Sequence, residues 1–225
     1  MSLSHYQAVL FDLDGTLCDT ALDFTLALNR LLADEQRPSL SLSQVRAHVS
    51  NGALAIIQKA FPDIEDEPTL LSLRRRLVEY YQQNIVWHTQ VYPGLDKLLA
   101  QLASKQIPWG VVSNKPELLT REIMQRLDFP YAAHAIIGGD TLSVAKPHPE
   151  PLLLAAKACQ IIPELCVYIG DHHRDVVAAK AAGMTAVAVS YGYINADENV
   201  HHWGADWVVD SPYQLLTLLN LSVSP

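Results

Sequence analysis

Five short apolar runs, each breaking off at polar or glycine residues, constrain this 225-residue chain more than any other feature. They are "AVLF" (8–11), "WGVVS" (109–113), "AIIG" (135–138), "CVYIG" (166–170) and "TAVAVS" (185–190). A strand with one wet face alternates apolar and polar residues; these runs do not alternate, so both of their faces must be covered. Helix-period stretches lie between them, at 116–127 with Pro116 suited to the first turn, at 150–159, and at 174–182 ahead of Gly183. Doubly buried strands separated by helices predict an α/β class, a parallel sheet with helices on both faces.

The pattern changes between residues 20 and 89. Strand runs give way to helical periodicity at 21–33, 43–49, 54–61 and 70–85, punctuated by "RPS" and "FPDIEDEP". These spacings predict an inserted all-helical cap domain over 20–89, within a core domain made of 1–19 and 90–225, with "VYPG" (91–94) marking the return. Open α/β sheets bind ligands at the carboxyl ends of their strands. An insertion that leaves just after the first strand therefore sits over that edge as a lid.

Reactive side chains collect at the same strand ends. "DLDGT" (12–16) places Asp12 and Asp14 on one side of an extended chain, and Gly15 permits a tight turn with amide N–H groups free for an anion. Like charges that close raise each other's pKa, so the pair needs a cation to offset it. "SNK" (113–115) follows "WGVV", Lys146 lies in "AKPHPEP", and Asp171 and Asp175 end "YIGDHHRD". Four aspartates, a lysine, a hydroxyl and loop amides suit metal-assisted phosphoryl transfer through a covalent intermediate. Carboxylates are hard ligands for Mg²⁺. One aspartate can attack phosphorus while a second protonates the leaving oxygen and then activates water, and the lysine and serine offset charge on the transferred group.

In order, "DLDGT" (12–16), "VVSN" (111–114), "AKP" (145–147) and "GDHHRD" (170–175) resemble the four sequence motifs of the haloacid dehalogenase superfamily of aspartate-nucleophile phosphatases. The resemblance implies a Rossmann-like core with a helical cap between the first two motifs. It implies Asp12 as nucleophile, Asp14 as general acid and base, and Ser113, Asn114 and Lys146 as holders of the phosphoryl oxygens. It also implies Mg²⁺ held by the Asp12 carboxylate, the Asp14 backbone carbonyl and Asp171, with Asp175 in support. Relatives often carry Ser or Thr where this chain has His172, which puts the hydrogen bond of that hydroxyl in question.

"VSNGA" (49–53), "WGVVSNKP" (109–116) and "YGYINADENVHHWGADWVVDSP" (191–212) are most similar to the phosphoglycolate phosphatase group, including N-acetylmuramic acid 6-phosphate phosphatases. The expected activity is a Mg²⁺-dependent phosphomonoesterase acting through an aspartyl phosphate on a small phosphorylated metabolite, phosphoglycolate or a sugar phosphate such as N-acetylmuramic acid 6-phosphate. A sugar phosphomutase of the β-phosphoglucomutase kind would carry the same four motifs and stays open. A dehalogenase has no use for a proton from Asp14, and a non-catalytic binding module would have lost a catalytic residue.

Other segments allow two readings. In "VSNGA", Ser50 or Asn51 caps a helix, or Ser50, Asn51 and Gly52 reach from the lid to the non-phosphate part of the substrate, with Arg46 as a cationic partner. Ser113 and Asn114 can cap the helix near Pro116 and still bind phosphate, because a helix N-terminus is itself an anion site. "RRR" (74–76) is a solvated helix face or an attractor of anionic substrate. The histidine pairs at 172–173 and 201–202 match no zinc spacing, and Cys18 reads as a small buried side chain.

A net charge of −8 disfavours nucleic acid and anionic membrane surfaces, and no window approaches the roughly 18 apolar residues of a membrane span. Three cysteines without ligand spacing point to a reducing compartment. The expectation is a cytoplasmic monomer or homodimer whose partner is a small phosphorylated metabolite.

Overall fold

The computed structural model describes residues 3, 5–129, 131–195 and 197–221. The first strand, β1 (Ala8–Phe11), is wholly buried. A tight loop leads to the two-residue β2 (Cys18–Asp19), followed by four helices, α1 (Ala21–Asp34), α2 (Leu42–Val49), α3 (Ala53–Ala60) and α4 (Glu67–Gln83). The chain returns through β3 (Gln90–Val91), which pairs antiparallel with β2. Exit and re-entry of the helical segment are thus zipped to each other. Then come α5 (Leu95–Ser104), β4 (Trp109–Val112), α6 (Glu117–Arg126), β5 (Ala135–Ile137), α7 (Glu150–Cys159), β6 (Cys166–Gly170), α8 (His173–Ala181), β7 (Thr185–Val189), β8 (Trp207–Val209) and α9 (Pro212–Leu218).

The main sheet runs β5-β4-β1-β6-β7-β8 and every pairing in it is parallel. Successive side chains of a strand face opposite sides. Val9 and Phe11 accordingly join a core completed by Leu95, Leu99 and Leu215, while Ala8 and Leu10 join a second one with Leu152, Ala155 and Ala178. This is why the apolar runs do not alternate. Strand order reverses direction beside β1, and at such a switch point a crevice opens past the carboxyl ends of the strands.

Helix starts follow local chemistry where the sequence supplies it. Ser41 and Gln44 form a reciprocal capping box on α2, and Asp66 caps α4 by accepting the Thr69 N–H at 2.9 Å. The α6 start departs from the sequence reading: the Asp140 carboxylate accepts the Glu117 N–H at 2.6 Å, so neither Ser113 nor Asn114 caps it. The sequence reading assigns no element to α5, although Leu95, Leu98, Leu99 and Leu102 carry a helical period and are buried.

Within the insertion, Phe24 stacks on Tyr81 at 3.9 Å between centroids, tying α1 to α4. The buried Asp23 carboxylate accepts the N–H groups of His88 (2.9 Å) and Thr89 (3.0 Å), which fixes the return to the sheet. Among the described residues no helix is long and apolar enough to cross a membrane.

Candidate active site

Asp12 sits immediately past β1, where its N–H continues the ladder by donating to the Ile169 carbonyl at 2.8 Å. The extended conformation ends there, and residues 12–18 close a compact loop in which the Cys18 N–H reaches the Leu13 carbonyl at 2.9 Å. Gly15 adopts φ +82°, and a Cβ on it would lie 2.1 Å from Asp171 Oδ2. Only glycine satisfies both the backbone and the neighbour.

Lys146 is brought to Asp12 from the loop before α7. Its ammonium is buried and lies 3.0 Å from Asp12 Oδ1, 2.8 Å from Asp175 Oδ1 and 2.7 Å from the Tyr168 hydroxyl. Burial alone would push its pKa down; the Asp12 and Asp175 charges override that and hold it above its ordinary value. Asn114 sets the height of this loop, its amide bracketing Lys146 by accepting the backbone N–H at 3.0 Å and donating to the carbonyl at 2.8 Å. Its side chain is therefore engaged in positioning the lysine, whereas the resemblance implies a phosphoryl ligand.

Asp12, Asp171 and Asp175 are buried and offer oxygens that lie within 4.8 Å of one another. Burial, then the charges of Asp12 and Asp175, push the Asp171 carboxyl up to about 8. Burial likewise raises Asp12 despite Lys146. Three hard oxygen donors whose mutual repulsion one lysine does not relieve are a set that can hold a divalent metal ion. Asp171 is further fixed by the Tyr193 N–H (2.8 Å), the Ser50 hydroxyl (3.2 Å) and the Thr16 hydroxyl (3.3 Å).

Asp14 has a different environment. Its carboxylate takes Lys115 Nζ at 2.8 and 3.1 Å and the Thr20 hydroxyl at 2.5 Å. Lys115 is buried and its ammonium lies 4.5 Å from the Phe24 ring centroid and 4.8 Å from that of Tyr81, within cation–π range. Two neighbouring carboxylates thus have separate cations, Lys146 for Asp12 and Lys115 for Asp14.

Both aspartates line a cavity of about 230 Å³ between the strand ends and the helical insertion. Ser113 and Asn114 line it from the sheet side, and Ser50, Asn51 and Gly52 line it from the insertion. Arg46 is not in that lining: its guanidinium is drawn to Asp19 (2.6 Å) and the Tyr92 hydroxyl (2.9 Å) and packs over the Tyr193 ring. A nearer carboxylate at the β2–β3 seam has captured it.

His172 answers the question raised by its departure from Ser or Thr. Nδ1 accepts the Arg174 N–H at 3.1 Å and so caps α8, and Nε2 lies 3.2 Å from Asn51 Oδ1. Burial, followed by the Arg174 charge, pushes its pKa down to about 4, so the ring is neutral and Nε2 carries the proton that goes to Asn51. Arg174 donates to the Ser50 carbonyl. The imidazole thus caps the helix as a hydroxyl could, and also reaches the insertion.

Lys115, Tyr168, Tyr193 and Arg174 are the site residues that the sequence reading does not select. Lys115 had a signal, an ammonium between a buried strand and a proline-started helix. Tyr168 had a weaker one, a hydroxyl in the middle of "CVYIG". For Tyr193 no local signal exists. Its hydroxyl accepts the Thr20 (2.6 Å) and Ala21 (3.0 Å) N–H groups at the start of α1, which has no side-chain cap of its own, while its backbone N–H holds Asp171.

Comparison with known proteins places this arrangement. A family model described as haloacid dehalogenase-like hydrolase matches residues 9–189. The chain is 39% identical over 220 residues to an N-acetylmuramic acid 6-phosphate phosphatase of Pseudomonas aeruginosa, covering 98% of this chain and 97% of that protein. It is 39% identical over 209 residues to a phosphoglycolate phosphatase of Xanthomonas campestris pv. campestris, covering 93% and 94%. Among solved structures, a predicted phosphoglycolate phosphatase from Haemophilus somnus superposes with a TM-score of 0.84 at 27% identity, covering 96% of this chain and 99% of that one. The four motifs, the strand order that gathers them and these matches together establish that the chain belongs to the haloacid dehalogenase-like hydrolase family.

Proposed function

We propose that this protein is a Mg²⁺-dependent phosphomonoesterase that hydrolyses phosphoglycolate or a sugar phosphate such as N-acetylmuramic acid 6-phosphate through an aspartyl phosphate on Asp12. The observation that carries the reading is the pair of aspartates lining one cavity with separate cations, Lys146 at 3.0 Å from Asp12 and Lys115 at 2.8 Å from Asp14. Nucleophile and acid must differ in environment to divide two roles between identical side chains.

Asp12, Asp171 and the Asp14 carbonyl would hold Mg²⁺, with Asp175 in support; hard carboxylate oxygens and raised pKa values at Asp12 and Asp171 fit that ion. When bound, it supplies countercharge to the nucleophile and to the phosphoryl oxygens. An Asp12 carboxylate oxygen attacks phosphorus, the bond to the leaving oxygen breaks, and Asp14 gives that oxygen its proton. Asp14, now a carboxylate, takes a proton from water; that water attacks the phosphorus, releasing inorganic phosphate and restoring Asp12. Lys146 and the Ser113 hydroxyl offset charge on the transferred group. The insertion of residues 20–89 serves as a cap domain that shields the reaction from bulk water, with Ser50, Asn51 and Gly52 facing the leaving group.

The test is phosphate release by Asp12→Asn. A loss of at least about 10⁴-fold, as for other covalent nucleophiles, with an unchanged melting temperature is expected; activity within tenfold of the parent protein would overturn the assignment. Phosphate release should also cease in EDTA and return with added Mg²⁺.

A further inference from the structure

Among the described residues, two guanidinium groups in the cavity have no carboxylate to answer them. Lys115 and Lys146 are each committed to aspartates. Arg74 and Arg174 line the cavity together with Lys115, yet among the described residues neither guanidinium has a carboxylate oxygen within 4.0 Å; that of Arg174 donates to the Ser50 carbonyl. The neighbours of Arg74 on α4 are paired, Arg75 with Glu79 and Arg76 with Asp34 and Glu35. Acidic residues outnumber basic ones 24 to 16 in this chain, so two unpaired arginines in one cavity are not a shortage of acids.

Their placement is graded. Arg74, Val78 and Tyr81 recur at i, i+4 and i+7 and so share one face of α4. Arg74 is exposed, Val78 half-buried and Tyr81 fully buried, which orders them from the mouth of the cavity to its floor. Arg174, in the first turn of α8, reaches the insertion at the Ser50 carbonyl. On the phosphomonoesterase reading the phosphoryl group sits on the sheet side, by Asp12 and Ser113, and Arg74 lines the cavity from the insertion, where the rest of the substrate would lie.

We propose that Arg74 and Arg174 are specificity residues for a carboxylate on the leaving group, so that the substrates are phosphorylated acids and not neutral alcohol or sugar phosphates. The planar fork of a guanidinium matches a carboxylate through two parallel hydrogen bonds. This inference rests on the phosphomonoesterase reading and deepens it.

The experiment compares kcat/KM for phosphate release within two matched pairs, 2-phosphoglycolate against ethyl phosphate and N-acetylmuramic acid 6-phosphate against N-acetylglucosamine 6-phosphate. Each second member lacks the carboxylate. The parent protein should prefer the acid by about tenfold or more in at least one pair, since a site built to pair a polar group rejects the analogue lacking it. Arg74→Gln and Arg174→Lys should each shrink that ratio several-fold, through KM of the acid. Equal turnover of acid and neutral partner, or a preference that both variants leave intact, overturns the proposal while leaving the phosphatase reading standing. Release from none of the four compounds overturns that reading first. Arg74 is exposed, so its variant tests the ratio without endangering the fold.

Discussion

On the sheet side of the cavity the carboxyl groups have fixed partners: Asp12 and Asp175 share the buried Lys146, and the half-buried Asp14 has the buried Lys115. On the insertion side the lining is the short stretch 49–53, Phe24 of α1, and a face of α4 whose exposed arginine has no acidic partner among the described residues. On the proposed mechanism, the contrast separates two kinds of work. Reaction chemistry needs charges fixed before the substrate arrives, and burial with paired ions fixes them. Recognition of a leaving group needs donors still free to bond, and these sit where water reaches them.

Breaking the sheet side should have the larger effects. Asp14→Asn keeps the shape but removes the transferable proton, and phosphate release should fall about 10² to 10⁴-fold; a loss under tenfold would remove the acid and base role. Lys146→Ala strips the shared cation from Asp12 and Asp175. Activity should drop about 10² to 10³-fold, and stability by about 3–5 kcal/mol because buried carboxylates are left unpaired. A denaturant titration without Mg²⁺ checks the second number, and an unchanged midpoint would contradict the pairing.

Acidity sharpens the same contrast. The folded state holds a proton on Asp171 up to about pH 8, whereas an unfolded aspartate loses it near 3.9. Between those values the native state binds more protons, so metal-free stability should fall as pH rises. His172, neutral down to about 4, works the other way between there and its ordinary 6.5. The window from 6.5 to 8 therefore isolates the carboxylates. Melting in EDTA should be lower at pH 8 than at 6.5, and Mg²⁺ should raise the melting temperature more at pH 8, because ligation replaces the proton. A Mg²⁺ shift independent of pH would count against the cluster.

The insertion side should respond least. Ser50→Ala deletes one hydrogen bond to Asp171, at 3.2 Å, and leaves the Ser50 carbonyl on Arg174. Given the ~0.5–1.5 kcal/mol net value of such a bond, kcat/KM should fall about two- to tenfold. A loss as large as that of Asp14→Asn would erase the distinction between the two sides.

Much of the sheet side is legible in the chain itself. Apolar runs without alternation demand cover on both faces, and carboxylates that follow such runs must emerge at strand ends; Asp12, Asp171 and Asp175 are found together for that reason. The α5 helix was equally legible in its leucine spacing. Arg46 and Asn114 were not, because a side chain's partner is chosen by distance through space. Asp19 lies close enough to take the Arg46 guanidinium, and the Lys146 backbone lies close enough to occupy the Asn114 amide.

The sequence by itself determined the class, the order of the strands' chemistry and the residues available at their ends, since these follow from local hydrophobic pattern and residue type. Only the tertiary structure decided which cation serves which aspartate, across 101 residues for Lys115 and Asp14. It also placed the hydroxyl of Tyr193 at the start of α1, 173 residues from Thr20. Electrostatic and hydrogen-bond energies fall off over a few ångströms of space, and spacing along a chain carries no such distance until the fold has closed it.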